Sequence, residues 1–485
     1  MDLSYLTISE IKKGLRDKKF SCTELVKYYF TRIESFEDIN CFITLNKKEA
    51  LKRAKEVDKK IKSGEELKAL EGVPISVKDL FMTKGIKTTA GSKILEEYIA
   101  PYDATVIHRL KEAGAIIIGK NNCDEFAMGA SNENSAYGPV LNPWDKSRVP
   151  GGSSGGSAAS VAIDMGTFSI GTDTGGSVRQ PGALCGITAL KPTYARVSRY
   201  GIIAMTSSFD QAGPMTHTAE ECAEILEVIA GEDINDSTTS KLKVDKYTED
   251  IKKDIKGKVI GLPKEYFIKG MDMEIEIRIK EMAEEFKKMG AIIKEVSLPS
   301  TEHALAVYYI ILMAEVSSNL SRYDGIRYGL NNKQAKNLKE HYEKTRADGF
   351  GDEVKRRIMM GTYVLSAGYQ DAYYNQAKKV QKEIQKEYLD IFNEVDVLLT
   401  PTTPTTAFKL GEKYNDPLTM YLCDIYTISA NVAGLCAISL PVGLSTQNLP
   451  IGMQLMGAPF KESVILNLAH QFQLNTDFHK RQPNL

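Results

Sequence analysis

The chain carries almost no net charge, since 62 Lys and Arg against 63 Asp and Glu leave a formal −1 at pH 7 over 485 residues. No overall field draws in a polyanion, so direct nucleic-acid binding is disfavoured as the main task; any such contact must come from a local patch or another subunit. The seven cysteines form no CxxC pair and are odd in number, and the opening Met1–Leu6 lacks a basic region followed by an apolar core. Reduced thiols in a cytoplasmic setting are therefore expected, without secretory leader or disulfide framework. No uninterrupted apolar run reaches membrane-spanning length, which predicts no membrane role. Six scattered histidines at no metal-ligand spacing predict no metal site. Internal repeats and low-complexity linkers are absent as well.

What remains is a globular composition, 42% hydrophobic and 26% charged, able to bury a sizeable core. Two domains are the default at this length, although large α/β enzymes reach it around one sheet. Ser21-Cys22-Thr23-Glu24 has capping-box spacing, and Leu25, Tyr28, Tyr29 and Ile33 follow at helical intervals. Helices are expected over residues 1–65, including a charged one over 46–65. Short apolar runs at 73–77, 115–119, 167–171, 258–262, 291–293, 395–399 and 437–442 read as strands. Helical spacing at 104–113, 157–165, 218–230, 273–289 and 462–472 separates most of them, the alternation of an α/β fold. Residues 233–256 read as a surface excursion, and about 301–394 as a helical layer beside the sheet.

The most informative stretch runs from Gly151 to Pro181. It holds two serine-bearing glycine turns, Gly151-Gly152-Ser153-Ser154-Gly155-Gly156 and Gly175-Gly176-Ser177, where the backbone can approach a bound group closely. A serine hydroxyl needs a base to become a nucleophile, yet no histidine lies between His108 and His217. Lys78, in the apolar-flanked run Gly72–Leu80, is the best upstream candidate, because burial lowers a lysine's pKa and a neutral amine accepts a proton.

Three rival readings of the glycine turns fit less well. Gly151 to Gly155 satisfies GxSxG, but the hydrolase nucleophile turn follows a buried strand, whereas residues 142–150 are polar and broken by Pro143 and Pro150. A phosphate loop needs Gly-Lys-Ser/Thr, which is missing. A flexible Gly/Ser linker does not fit the second turn, where the strand-like 167–171 leads through Thr172-Asp173-Thr174 into Gly175. Successive backbone N–H groups there suit an oxyanion hole, in which one donor is typically worth about 3 to 4 kcal/mol.

These residues, Gly151 to Pro181 with Lys78 upstream, resemble the amidase signature family. The resemblance implies one amidase domain over 1–485, built on a large mixed β-sheet covered by helices on both faces. It implies a catalytic triad of Lys78, Ser153 joined through a cis peptide, and the nucleophile Ser177. The oxyanion donors fall on Thr174, Gly175, Gly176 and Ser177, while Asp173 and Arg179 brace the loop.

Four further segments, Asp124–Gly129 with Ser131–Ser135, Ser321–Gly329, Gly349–Gly351 through Arg356–Met359, and Asp416–Tyr421, resemble the glutaminase (A) subunits of tRNA-dependent glutamyl/aspartyl amidotransferases. That likeness implies glutamine as substrate, with Arg357 for its α-carboxylate, Asp424 for its α-ammonium and Tyr308 as a wall. It further implies a cytoplasmic heterotrimer with B and C subunits serving protein biosynthesis. This chain would need no cofactor; ATP and magnesium would act on the partner, which would also make most of the tRNA contact. The alternatives are a stand-alone amidase for small aliphatic or aryl amides, and a non-enzymatic scaffold subunit.

Overall fold

Neighbouring residues of one strand enter two different cores: Val397 and Leu399 pack in the first, Leu398 in the second. The same alternation sets Ile438 and Leu455 against Ala437 and Met456 on the strands alongside. Because successive side chains of a strand point to opposite faces, this pattern belongs to a sheet buried on both sides. The computed structural model describes residues 2–267 and 270–484; Met1, Ile268, Lys269 and Leu485 lie outside the described residues.

The sheet has eleven strands among the described residues. They are β1 (Phe42–Leu45), β2 (Pro74–Lys78), β3 (Ile116–Asn121), β4 (Phe168–Asp173), β5 (Thr188–Lys191), β6 (Gln211–Thr216), β7 (Val259–Pro263), β8 (Ile292–Val296), β9 (Val397–Pro401), β10 (Cys436–Leu444) and β11 (Pro450–Gly457). Their order is β1-β3-β2-β4-β6-β5-β10-β11-β9-β7-β8. The pairs β3/β2/β4 and β9/β7/β8 are parallel, and the centre from β4 to β9 is antiparallel, so the sheet is mixed. Helices cover both faces. Ile8–Arg16, Cys22–Ser35, Lys47–Ser63, Ala219–Ile229 and Glu462–Asn475 bury their apolar stripes in the first core. Thr301–Asn319, Asp352–Val364 and Gln376–Ile391 bury theirs in the second.

Several expectations need correcting. The segment expected to be purely helical over 1–65 contains strand β1, where Phe42 and Ile43 lie on the sheet edge beside β3. Strands β5, β6 and β11 have no counterpart in the expected set. Pro214 sits inside β6 opposite Ile170, and Pro450 and Gly452 interrupt β11, so both read as turns in a linear pattern. One stretch, Thr301–Arg322, is long and apolar enough to cross a membrane by length and composition, although Glu302 and Glu315 interrupt it; half of it is buried inside the fold. The excursion at 233–256 is fastened, with Asp233 Oδ2 accepting from Ser198 Oγ at 2.6 Å.

Candidate active site

Strand β2 ends on Lys78, which is wholly buried. Its Nζ donates to Ser153 Oγ at 2.7 Å and to Thr172 Oγ1 at 2.9 Å. Burial pushes the ammonium pKa down to about 8, against the pull of surrounding acidic groups including Asp124, Asp173 and Asp210. Ser153 follows an irregular segment and not a strand, and the Gly152–Ser153 peptide is cis. The glycine beside it is forced by space: a Cβ on Gly152 would lie 2.2 Å from Asp124 Oδ2. Asp124 in turn accepts from the Asn132 and Asn134 amides, and its own N–H donates to Ser153 O.

Strand β4 delivers the second turn. Thr172 and Asp173 close the strand, and Ser177 lies in the turn before the helix Arg179–Cys185. The two serine turns are stitched together, since Ser154 N–H donates to Ser177 O at 3.2 Å. Gln180 adds a second link, accepting the Gly152 N–H at 2.9 Å. The Ser177 hydroxyl has no hydrogen-bond partner among the described residues, and the residue is 7% exposed.

Of the four expected oxyanion donors, Gly176 is already engaged: its N–H donates to Asp173 Oδ1 at 2.9 Å. The amides of Thr174, Gly175 and Ser177 have no acceptor among the described residues, which narrows the set to three. The turn is held from outside by Asp210, which accepts from Thr174 Oγ1 at 2.7 Å, and by Thr427, whose hydroxyl donates to Gly175 O at 2.6 Å. Gly176 has φ +131°, and a Cβ there would lie 2.1 Å from Thr427 Oγ1. Gly176→Ala is expected to cost about 2 to 4 kcal/mol through backbone strain and overpacking, read as a lower urea midpoint.

Asp173 and Arg179 form a fully buried ion pair, with Nε to Oδ2 at 2.9 Å and Nη2 to Oδ1 at 3.0 Å. Arg179 also donates to Thr427 O and Gln454 Oε1, tying the nucleophile turn to β11. Burial alone would raise the Asp173 pKa, but Arg179 overcomes it and holds the carboxyl at about 2. Because the folded pKa lies below the ordinary 3.8, the stability it contributes is complete above that value and is lost as pH falls toward 2. Arg179→Met strands the carboxylate and is expected to cost about 3 to 5 kcal/mol, measured by urea unfolding at pH 7.

The helix Asp352–Val364 carries Arg357, 4% exposed, and the 3-10 turn Leu422–Asp424 carries Asp424, 8% exposed. Arg357 Nε donates to Glu353 Oε1 at 2.7 Å, while Nη1 and Nη2 have no acceptor among the described residues. The Asp424 carboxylate accepts no hydrogen bond there either. Burial pushes its pKa well up, and the charge of Arg357 opposes the shift. Tyr308 packs on the nucleophile turn: a Cβ on Gly175 would lie 2.4 Å from its hydroxyl oxygen. Among the described residues no cluster of three or more His, Cys, Asp or Glu could hold a metal ion.

A family model for amidases matches residues 24–466. The chain belongs to the amidase family. Its relatives include the A subunit of the glutamyl-tRNA(Gln) amidotransferase of Ruthia magnifica, 54% identical over 98% of both chains, and that of Carboxydothermus hydrogenoformans, 53% identical over the full length of both. Among solved structures it is similar to the A subunit of the glutamyl-tRNA(Gln) amidotransferase of Thermotoga maritima, with a TM-score of 0.81, 40% identity, and coverage of 98% and 96% of the two chains.

For an amidase, the constellation holds the parts of an acyl-transfer site: a buried amine, a hydroxyl bonded to it, a second hydroxyl that makes no hydrogen bond to the first among the described residues, and free amides beside it. Sequence reasoning missed Thr172, the second partner of Lys78, because a threonine on a strand looks like any β-branched residue. It also missed Asp210, Gln180 and Thr427, which hold the two turns from outside. Of the supporting residues, Thr172 and Gln180 lie inside the marked stretch Gly151–Pro181, and Asp124 in another marked segment, whereas Asp210 and Thr427 lie in segments that the sequence does not mark.

Proposed function

We propose that this chain is the glutamine-hydrolysing subunit of a tRNA-dependent amidotransferase. The observation that carries the reading is the pairing of a basic and an acidic side chain, Arg357 and Asp424, each buried and each with unused hydrogen-bonding capacity beside the Tyr308 wall of the Ser177 turn. A free amino-acid amide presents a carboxylate and an ammonium, and burying either without a counter-charge is costly. The amidotransferase relatives, similar over the whole length, support the same reading.

In the proposed cycle neutral Lys78 takes a proton through Ser153 from Ser177, and Ser177 Oγ attacks the side-chain amide carbon of glutamine. The amides of Thr174, Gly175 and Ser177 stabilise the oxyanion. The proton returns to the departing nitrogen, ammonia leaves, and water activated by the same relay hydrolyses the glutamyl-serine ester to glutamate. We further propose that the chain works in the cytoplasm, clasped by a small C subunit. Its ammonia passes to a B subunit that activates glutamyl- or aspartyl-tRNA with ATP and magnesium and makes most of the tRNA contact. The near-neutral charge of this chain fits that division of labour.

The test is direct. Purified chain is expected to release equimolar glutamate and ammonia from glutamine, faster when co-purified partners, charged tRNA and ATP are added. Turnover of hydrophobic amides with none of glutamine would overturn the proposal in favour of a stand-alone amidase.

A further inference from the structure

We infer that Glu353 is the positioning residue that makes this site selective for amides bearing a free α-carboxylate, by holding Arg357 at Nε so that both terminal nitrogens stay free for the ligand. The inference rests on the glutamine reading above and deepens it.

Glu353 stands in the first turn of the helix Asp352–Val364, one helical turn before Arg357. Its Oε1 accepts from Arg357 Nε at 2.7 Å and also from the Tyr421 hydroxyl at 3.0 Å, while Oε2 is taken by Arg356. An exposed pair at this spacing is worth a few tenths of a kcal/mol. Here the two side chains are 5% and 10% exposed, and a second element, through Tyr421, donates to the same oxygen. The Tyr309 and Tyr421 rings stack 4.1 Å apart, and the Arg357 guanidinium carbon lies 5.7 and 5.3 Å from their centroids. Carboxylate below and aromatics beside it leave the guanidinium little freedom.

The choice of nitrogen matters. A guanidinium held through both terminal nitrogens has its end-on fork occupied; one held at Nε still offers Nη1 and Nη2 as a planar pair that matches a carboxylate bidentately. Glu353 also balances the buried charge of Arg357, so the empty site tolerates an arginine whose fork awaits a ligand. Asp424, whose carboxylate accepts no hydrogen bond among the described residues, completes recognition of a zwitterion. A neutral amide gains nothing from either group and bears the cost of leaving both unpaired.

The test uses the full-length chain with glutamine and butanamide, a neutral amide of matching length. Wild type is expected to prefer glutamine strongly. Glu353→Gln is expected to raise KM for glutamine about 10- to 100-fold with kcat held within about threefold, the loss that follows when a charged hydrogen-bond partner is removed. The ratio of kcat/KM for glutamine to that for butanamide falls by the same factor. Tyr421→Phe is expected to give a smaller KM rise in the same direction, and Glu353→Asp a partial rescue relative to Gln. A purely structural role would instead lower the melting temperature and reduce turnover of both substrates alike, which overturns the inference. A glutamine-selective wild type whose Glu353→Gln variant keeps its KM overturns the inference alone. A wild type indifferent to the α-carboxylate overturns the glutamine reading and this inference together.

Discussion

Ser177→Ala is expected to abolish glutamine hydrolysis, by about 10⁴-fold or more, while the chain stays folded, because removing the nucleophile of a relay ends covalent catalysis. The fold survives because the Ser177 hydroxyl has no hydrogen-bond partner among the described residues, so no buried donor or acceptor is stranded by its loss. What ties Ser177 to its surroundings is its backbone, through the bond from Ser154 N–H, and alanine keeps that. Ser153 differs. Its oxygen accepts from Lys78, so Ser153→Ala breaks the path for the proton and leaves the amine short of a partner. Members of one relay act as a unit, hence the double variant Ser153→Ala/Ser177→Ala is expected to be no slower than Ser177→Ala alone. Ammonia release and circular dichroism read activity and fold separately. Turnover above a tenth of wild type in a folded Ser177→Ala chain would remove Ser177 from the chemistry and leave a scaffold role standing.

The parts of this fold legible in the sequence are those whose local pattern and tertiary place agree. Strands β2, β3, β4, β7, β9 and β10 are apolar runs bounded by turn residues, and they lie within two residues of the expected spans. Strands β6 and β11 were hidden by Pro214 and Gly452, which a linear reading takes as punctuation but a sheet centre tolerates where neighbours pack closely. Gly452 is needed there: a Cβ on it would lie 2.5 Å from Ala183 Cβ. Strand order is not a local property, and the sequence pattern contains nothing that places β6 between β4 and β5.

The site divides similarly. Glycine turns with serines announce a close backbone approach, and a missing histidine with apolar flanks makes Lys78 a candidate base, but only resemblance to a family joins all three into a triad, because proximity between a strand end and two distant turns leaves no periodic trace. Arg357 shows the limit most plainly. It follows Arg356, and no local signal separates the two. Helical rotation does so, turning Arg357 inward to 4% exposure and leaving Arg356 partly in solvent. Asp424 offers the same lesson, since a lone acidic residue in a short turn is normally solvated, and only packing makes it a buried carboxylate awaiting a cation.

Lys78→Met is expected to lose activity and gain stability together. The active form of Lys78 is the neutral amine, and its pKa is held at about 8 by burial. Wild-type kcat/KM for glutamine should therefore rise about tenfold per pH unit below that value and level off above it. The variant is expected to be about 10³-fold slower or worse, with that rise missing, since general-base transfer is worth about 10² to 10⁴ and the nucleophile now has no base. Stability moves the other way. An amine whose pKa falls from 10.5 in the unfolded chain to about 8 in the folded one is penalised while charged. Between those values the unfolded state binds more protons, so wild-type stability climbs with pH across that window. At pH 7 the penalty is about 3 kcal/mol, from which the lost bonds to Ser153 and Thr172, about 1 kcal/mol each, must be subtracted, so Met at this position is expected to add about 1 kcal/mol. Urea midpoints at pH 7 and pH 10 measure both effects: the variant should be the more stable at pH 7, with the gap closing toward pH 10. A variant less stable than wild type at pH 7, or a wild-type rate independent of pH between 6 and 9, would mean that Lys78 is no buried base, and the relay from amine to Ser153 to Ser177 would have no driving group.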